Sequence, residues 1–208
     1  MKLTFTAEDE AELSYRHMLA GCFLLGNGEA EIKVTDYGRK LKVHKLEALA
    51  IKAKKKLAKE NVHSVYMLAE GGSELEKVLR ESRVLKLSRS EYMFSLKPDT
   101  DRKNEEGAEI LLTNGVEEEE ETIIVESGEK GVFTAKLRPF NDGMYIYGVE
   151  VREDMRHEGY GTKYMKSIMY AFRDTKLYLQ VGSPNVIACK LYRKVGFETE
   201  TEILYFTL

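Results

Sequence analysis

The stretch Val149–Thr162, VEVREDMRHEGYGT, constrains the fold more than any other part of the chain. Ahead of it, the apolar run from Met144 to Val151 reads as a strand; a charged turn then leads into Arg156-His-Glu-Gly159-Tyr-Gly161-Thr162. From Lys163 to Asp174 the residues Tyr164, Met165, Ile168, Met169 and Phe172 fall on one helical stripe. A strand therefore runs through a glycine-punctuated loop into a helix N-terminus. Unpaired N–H groups at the positive end of a helix dipole make a natural seat for phosphate. Glycines at 159 and 161 let the main chain approach an anion closely. The same pattern also fits an ordinary strand-to-helix turn. The third glycine of a dinucleotide fingerprint is absent, since Met165 and Lys166 follow where it would lie, and no P-loop motif occurs.

A second signal lies downstream. Lys176 to Val181 reads as a short strand broken by Gly182-Ser-Pro184, and Asn185 to Val195 as a helix ended by Gly196 and the hydrophobic anchor Phe197. Together these residues resemble the GCN5-related N-acetyltransferases, the GNAT family. The first family motif, Q/R-x-x-G-x-G/A at a strand-to-helix junction, is matched by Arg156, Gly159 and Gly161. The second, N-x-x-A-x-x-L-Y-x-K-x-G-F, is matched by Asn185, Ala188, Leu191, Tyr192, Lys194, Gly196 and Phe197. The resemblance covers roughly residues 121–208.

At 208 residues the chain is long enough for one large or two small domains. A hydrophobic content of 43% and a charged content of 32% belong to a soluble globular protein, and no apolar run approaches the roughly 20 residues that span a bilayer. The start, MKLTFTAEDEAEL, is acidic and lacks a hydrophobic signal core, so a cytoplasmic location and no membrane partner are expected. Cys22 and Cys189 read as reduced thiols, and the four scattered histidines offer no metal-ligand spacing. A net charge of −3 gives no reason to expect nucleic acid. Homodimerisation is left open.

Thr6 and Asp9 suggest a helix cap with apolar residues running to Met18, although Ser14–Leu25 reads equally well as a strand before Glu29–Thr35. Val43–Asn61 has a strong helical pattern, and its run of lysines from Lys52 to Lys59 fits a solvated helix face better than an anion-binding patch. His63–Ala69, Ser73–Ser82 and Leu85–Leu96 follow as strand, helix and strand. That order repeats in residues 161–208 at an offset of 113, which sets Val65–Leu68 on Tyr178–Val181. In the first copy Leu46, Ala48, Leu79 and Arg83 stand where Gly159, Gly161, Tyr192 and Gly196 lie. The polar segment Lys97–Gly107 reads as a linker, so the expected domains are 1–97, a degenerate acetyltransferase-like copy, and 98–208. After the linker Ala108–Thr113 reads as a strand and Glu117–Glu121 as a solvated loop. Thr122–Glu126, Val132–Arg138 and Met144–Val151 then form an antiparallel meander through turns at 127–130 and 141–143. The fold class expected is α+β, with a mixed, mostly antiparallel sheet flanked by helices in a tandem arrangement.

The resemblance implies an acyl-CoA N-acyltransferase fold and a chemistry. Acetyl-CoA would wedge between the strand ending at Val151 and that of Leu177–Val181. Its pantetheine would pair with the main chain of Val149 and Val151, and its pyrophosphate would sit on amides of His157, Glu158, Gly159, Tyr160, Gly161 and Thr162. Arg156 would serve loop geometry, and Asn185 would bond the pantetheine arm or cap its helix. A primary amine would attack the thioester, with Tyr192 as acid for the departing thiolate and Glu150 as candidate base on the opposite face of its strand. The acceptor is a small amine or a protein amine, and one CoA site is expected per chain, in 144–197, with the first half forming a wall of the acceptor cleft. The alternative is a non-catalytic CoA sensor or an interaction module built on the same fold.

Overall fold

The computed structural model describes residues 19–25, 28–36, 42–103, 107–117, 120–128 and 131–208; the cap expected at Thr6 and Asp9 lies outside them. The chain packs as two units, Met1–Glu91 with Thr201–Leu208, and Tyr92–Glu200. The polar segment after residue 97 had suggested a single cut there. Instead the last strand returns to the first unit.

In the first unit the hairpin β1 (Leu19–Leu25) and β2 (Glu29–Asp36) leads into α1 (Val43–Leu57), β3 (Ser64–Glu70), α2 (Glu74–Arg80) and β4 (Lys86–Leu96). Helix α1 tightens into a 3-10 turn at Ala58–Glu60 and stops at Asn61, whose φ of +57° is left-handed and tolerable for asparagine. Strand β3 is parallel to β2 and antiparallel to the last strand, β10 (Glu198–Thr207). Both faces of β3 are covered, which is why its sequence is continuously apolar. Val65, Met67 and Ala69 join Leu46, Leu49, Leu79, Leu204 and Phe206 in one core. On the other face the Arg89 guanidinium lies 4.7 and 4.4 Å from the rings of Tyr66 and Tyr205, with Glu29 and Glu91 as counter-charges. Burial beside this cluster pushes the Glu31 carboxyl up.

The second unit holds β5 (Ile110–Glu117), β6 (Glu120–Ser127), β7 (Phe133–Phe140), β8 (Gly143–Val151), α3 (Tyr160–Ala171), β9 (Lys176–Gly182) and α4 (Val186–Lys194). Its strand order is β4-β9-β8-β7-β6-β5, β4 contributing from Tyr92 onward. The meander β6 to β8 is antiparallel, as the strand and turn pattern led one to expect; β5 joins it antiparallel, and β8 is parallel to β9. Helix α3 starts at Tyr160, three residues before the expected Lys163, because Gly159 at φ +85° is the last residue that cannot be helical. Phe133, Ala135, Leu137, Ile146, Leu177 and Leu179 meet Met165 and Ile168 of α3 in the core. Ser167, buried on that helix, clasps the main chain of Ala108: its Oγ donates to the carbonyl at 2.6 Å and accepts from the amide at 2.9 Å.

The elements β3, α2 and β4 begin at 64, 74 and 86, and β9, α4 and β10 at 176, 186 and 198. The two series are 112 apart, one less than the side-chain pattern had suggested. At this spacing the helix caps match, Ser73 accepting from the Glu76 amide and Asn185 from the Ala188 amide. No helix among the described residues is long and apolar enough to cross a membrane.

Parallel pairing of β8 with β9 begins at Gly143 opposite Lys176, where a Cβ would run into the Lys176 carbonyl. Neither main chain can retreat without losing that pairing. Gly143→Ala is therefore expected to lower stability by about 3 kcal/mol, the upper end of overpacking costs, as read from urea unfolding. Gly131→Ala, with nothing near but φ +79°, should cost about 1 kcal/mol through backbone strain alone.

Candidate active site

Strands β8 and β9 stay paired only as far as Ile146 and Leu179. Beyond that point Tyr147–Val151 and Gln180–Gly182 run on without pairing to each other. Strand β8 instead follows β7 as far as Val151 opposite Phe133, and the register slips between Thr134 and Lys136. Opposite Ala135, β8 carries two residues, Gly148 and Val149, and Gly148 has φ +58°. This is a β-bulge, which bends its strand and raises the local twist. A glycine inside the strand pattern was the signal for it, and reading plain alternation missed it.

Past the bulge, Val149 and Val151 pack against the core, while the Glu150 side chain is 72% exposed. The chain then makes a 3-10 turn, Glu153–Met155, fixed to the sheet by the Arg152 amide on the Val132 carbonyl at 2.9 Å. Arg156 donates from Nε to the Val151 carbonyl at 3.0 Å, and its Nη2 lies 4.0 Å from Glu150 Oε1. Arg156 thus ties the loop to the strand it leaves. His157 at φ +69° and Gly159 at φ +85° turn the backbone twice through the left-handed region before α3 begins. No side chain caps α3, and its first intrahelical bond runs from the Lys163 amide to the Gly159 carbonyl. The amides of Tyr160, Gly161 and Thr162 precede that bond, and the positive end of the helix dipole is directed the same way.

The two glycines of the loop have different jobs. A Cβ on Gly159 would meet nothing within 4 Å, so its need is the positive φ alone. A Cβ on Gly161 would lie 2.8 Å from Leu191 Cδ1, so this glycine lets α4 pack against the first turn of α3. Asn185 caps α4 through its side-chain oxygen, 3.1 Å from the Ala188 amide, which leaves its –NH₂ to donate elsewhere.

Tyr192, two turns along α4, is buried, with Phe94 and Phe197 at ring separations of 6.1 and 6.0 Å. Burial pushes its phenol up to about 12, with smaller contributions from Tyr145 and Cys189. Glu150 lies five residues beyond Tyr145 on β8, on the far side of the bulge. The structure thus places Val149 and Val151 on the strand that runs into the loop, Asn185 at the start of α4, Tyr192 in the core and Glu150 in solvent.

A polar network that the sequence reading did not find covers the other face of β8. Tyr147 donates to Glu117 Oε2 at 2.8 Å, Lys136 bonds Glu117 Oε1 at 2.6 Å, and Thr122 lies 3.3 Å from the Tyr147 oxygen. Lys136 and Tyr147 together hold Glu117 below the usual carboxylate range. The Tyr145 ring stacks beside Tyr147 at 6.1 Å. No cluster of three or more metal-ligating side chains occurs among the described residues.

Residues 83–197 match the acetyltransferase (GNAT) family. The chain belongs to that family. A GCN5-related N-acetyltransferase from Sphaerobacter thermophilus shares the fold with a TM-score of 0.69 at 13% identity, over 92% of this chain and 76% of that one. One from Kribbella flavida does so at 0.62 and 15%, over 96% and 91%. A tandem GNAT protein from the clavulanic acid biosynthesis pathway gives 0.60 and 10%, over 92% and 78%. At these identities the likeness is one of fold, and no curated protein matches the chain significantly.

An ordinary tyrosine ionises near pH 10 and Tyr192 in the folded chain near 12, so on raising the pH the unfolded chain sheds its proton first. The stability linked to this residue is full below pH 10 and is lost as pH rises through about 12, by roughly 2–3 kcal/mol. Chemical unfolding of wild type and Tyr192→Phe between pH 9 and 12 should show the wild type losing that much more stability than the variant.

Proposed function

We propose that this GNAT protein is an N-acyltransferase that moves an acetyl group from acetyl-CoA to a primary amine. The observation that carries the reading is the opening of β8 from β9 directly ahead of a helix N-terminus that no side chain caps. In this reading the main chain of Val149 and Val151 pairs with the pantetheine arm, and the amides from His157 to Thr162 take the pyrophosphate. Asn185 donates to the pantetheine amide while its oxygen stays on the helix cap. Tyr192 holds its proton throughout the neutral range and gives it to the departing thiolate. Beyond the bulge, Glu150 projects into solvent beside Arg156, and there it attracts a cationic amine.

The amine loses its proton to the bulk through water in this scheme, and a main-chain amide near Val151 stabilises the oxyanion. The exposure of Glu150, which leaves the site without a shielded base, also favours a second reading, a CoA-binding sensor without turnover. Release of free thiol from acetyl-CoA across a panel of amines distinguishes the two: tight CoA binding with no amine-dependent release supports the sensor.

For the enzyme, Tyr192→Phe should lower kcat about 100-fold or more with CoA affinity unchanged, as expected for loss of a general acid. Gly161→Glu, which sets a carboxylate among the first-turn amides and against Leu191, should abolish CoA binding in calorimetry. Absence of CoA binding by the wild type would overturn both readings.

A further inference from the structure

Strand β5 ends the strand order of the second unit, with β6 as its neighbour on one side and no strand among the described residues on the other. Natural sheets blunt such edges with prolines, lysines, bulges or short strands, because bare N–H and C=O groups template pairing with another chain. Strand β5 has none of these devices. It is eight residues long, its register with β6 runs unbroken from Ile110 opposite Ser127 to Glu117 opposite Glu120, and Ile110–Val116 contains neither proline nor charge. Leu111, Leu112 and Val116 are 52%, 48% and 76% exposed, so apolar side chains stand out on both faces of a bare edge. A segment of that composition at a sheet edge has the character of a self-pairing strand.

We propose that β5 is an isologous interface through which two copies of this chain pair, antiparallel, about a two-fold axis at Asn114. A two-fold axis normal to the sheet sets each residue opposite one on the same face. With Asn114 opposite itself, Leu112 of each copy lies across from Val116 of the other, so the exposed apolar side chains of that face cover one another twice. The same face carries a groove of about 570 Å³ lined by Asn114, Val116, Glu121, Ile123, Pro139 and Met144, and the incoming Leu112 reaches its rim beside Val116. A second copy is the occupant because on this face the strand complements itself in this register; on the other face Leu111 lies beside Glu117 of the partner copy, whose carboxylate Lys136 and Tyr147 already hold. The interface uses neither the loop before α3 nor Tyr192, so it stands independently of the transferase reading.

Sedimentation velocity of the full chain over a range of concentrations is expected to show a dimer. Val116→Lys should weaken it about tenfold or more, since two apolar pairs are lost and two ammonium groups are placed at the seam, while the thermal transition of the monomer is kept. Opposed residues on neighbouring strands have Cα atoms within disulfide range, so Asn114→Cys should cross-link the dimer under mild oxidation far more than Thr113→Cys or the wild type. A wild type that sediments as a monomer throughout overturns the proposal. So does a dimer indifferent to Val116→Lys, which would place the interface elsewhere. A monomer whose β5 amides exchange slowly would mean that the edge is covered by this chain itself, and would overturn it equally.

Discussion

A parallel ladder persists only while both strands keep the same rise and twist, and the extra residue at Gly148–Val149 breaks that condition. Strand β8 has already parted from β9 after Ile146, and through the bulge it stays with β7. Leaving main-chain groups unpaired inside a sheet is costly unless water or a ligand satisfies them. The opening is held in place from both sides. Arg156 pins the loop back on the Val151 carbonyl, and the Arg152 amide holds the turn to the start of β7. Helix α3 is fixed at its middle by Ser167 on Ala108 and at its first turn by the contact of Gly161 with Leu191. The site is thus a defect in hydrogen bonding, maintained by bonds around its rim.

Much of this was legible in the residues. Turn residues at Asn141-Asp-Gly and 127–130, with alternation between them, located the meander. The glycine spacing at 159 and 161 and the cap pair Asn185–Gly196 located the two helices that flank the wedge. What escaped the reading was non-local or lay in a broken period. Gly148 reads as one more small residue in VEV-like alternation, and its φ of +58° matters only because Ala135 faces it from another strand. Ser167 reads as a polar residue on a helix, yet it is buried because its partner is a backbone 59 residues away. The Glu117–Lys136–Tyr147 network joins three strands, and a run of five glutamates gives no hint that its first member is the one that pairs.

The role of Tyr192 was read from a motif, while its electrostatic setting comes from packing. Phe94 and Phe197 strip water from the phenol, and the resulting rise holds the proton on it across every physiological pH. In the first unit the corresponding place, counted by the matched helix caps, is Arg80, which is exposed and paired with Glu76 at 2.6 Å. Comparable helices can therefore bury a phenol in one unit and solvate a guanidinium in the other, according to which face each turns inward.

Strand β10 sits beside β3, pairing Thr207 with Tyr66 and Ile203 with Glu70. During synthesis the ribosome delivers residues 19–91 of the first unit long before that partner exists. The first unit emerges early but stays open along β3, its tyrosine and its core half covered, until residue 207 has left the exit tunnel. The second unit lies wholly between these events, so it is able to condense first although it is made later. The order of completion along the chain is thereby reversed, and the last strand acts as a latch whose closing registers that the whole intervening unit has been made.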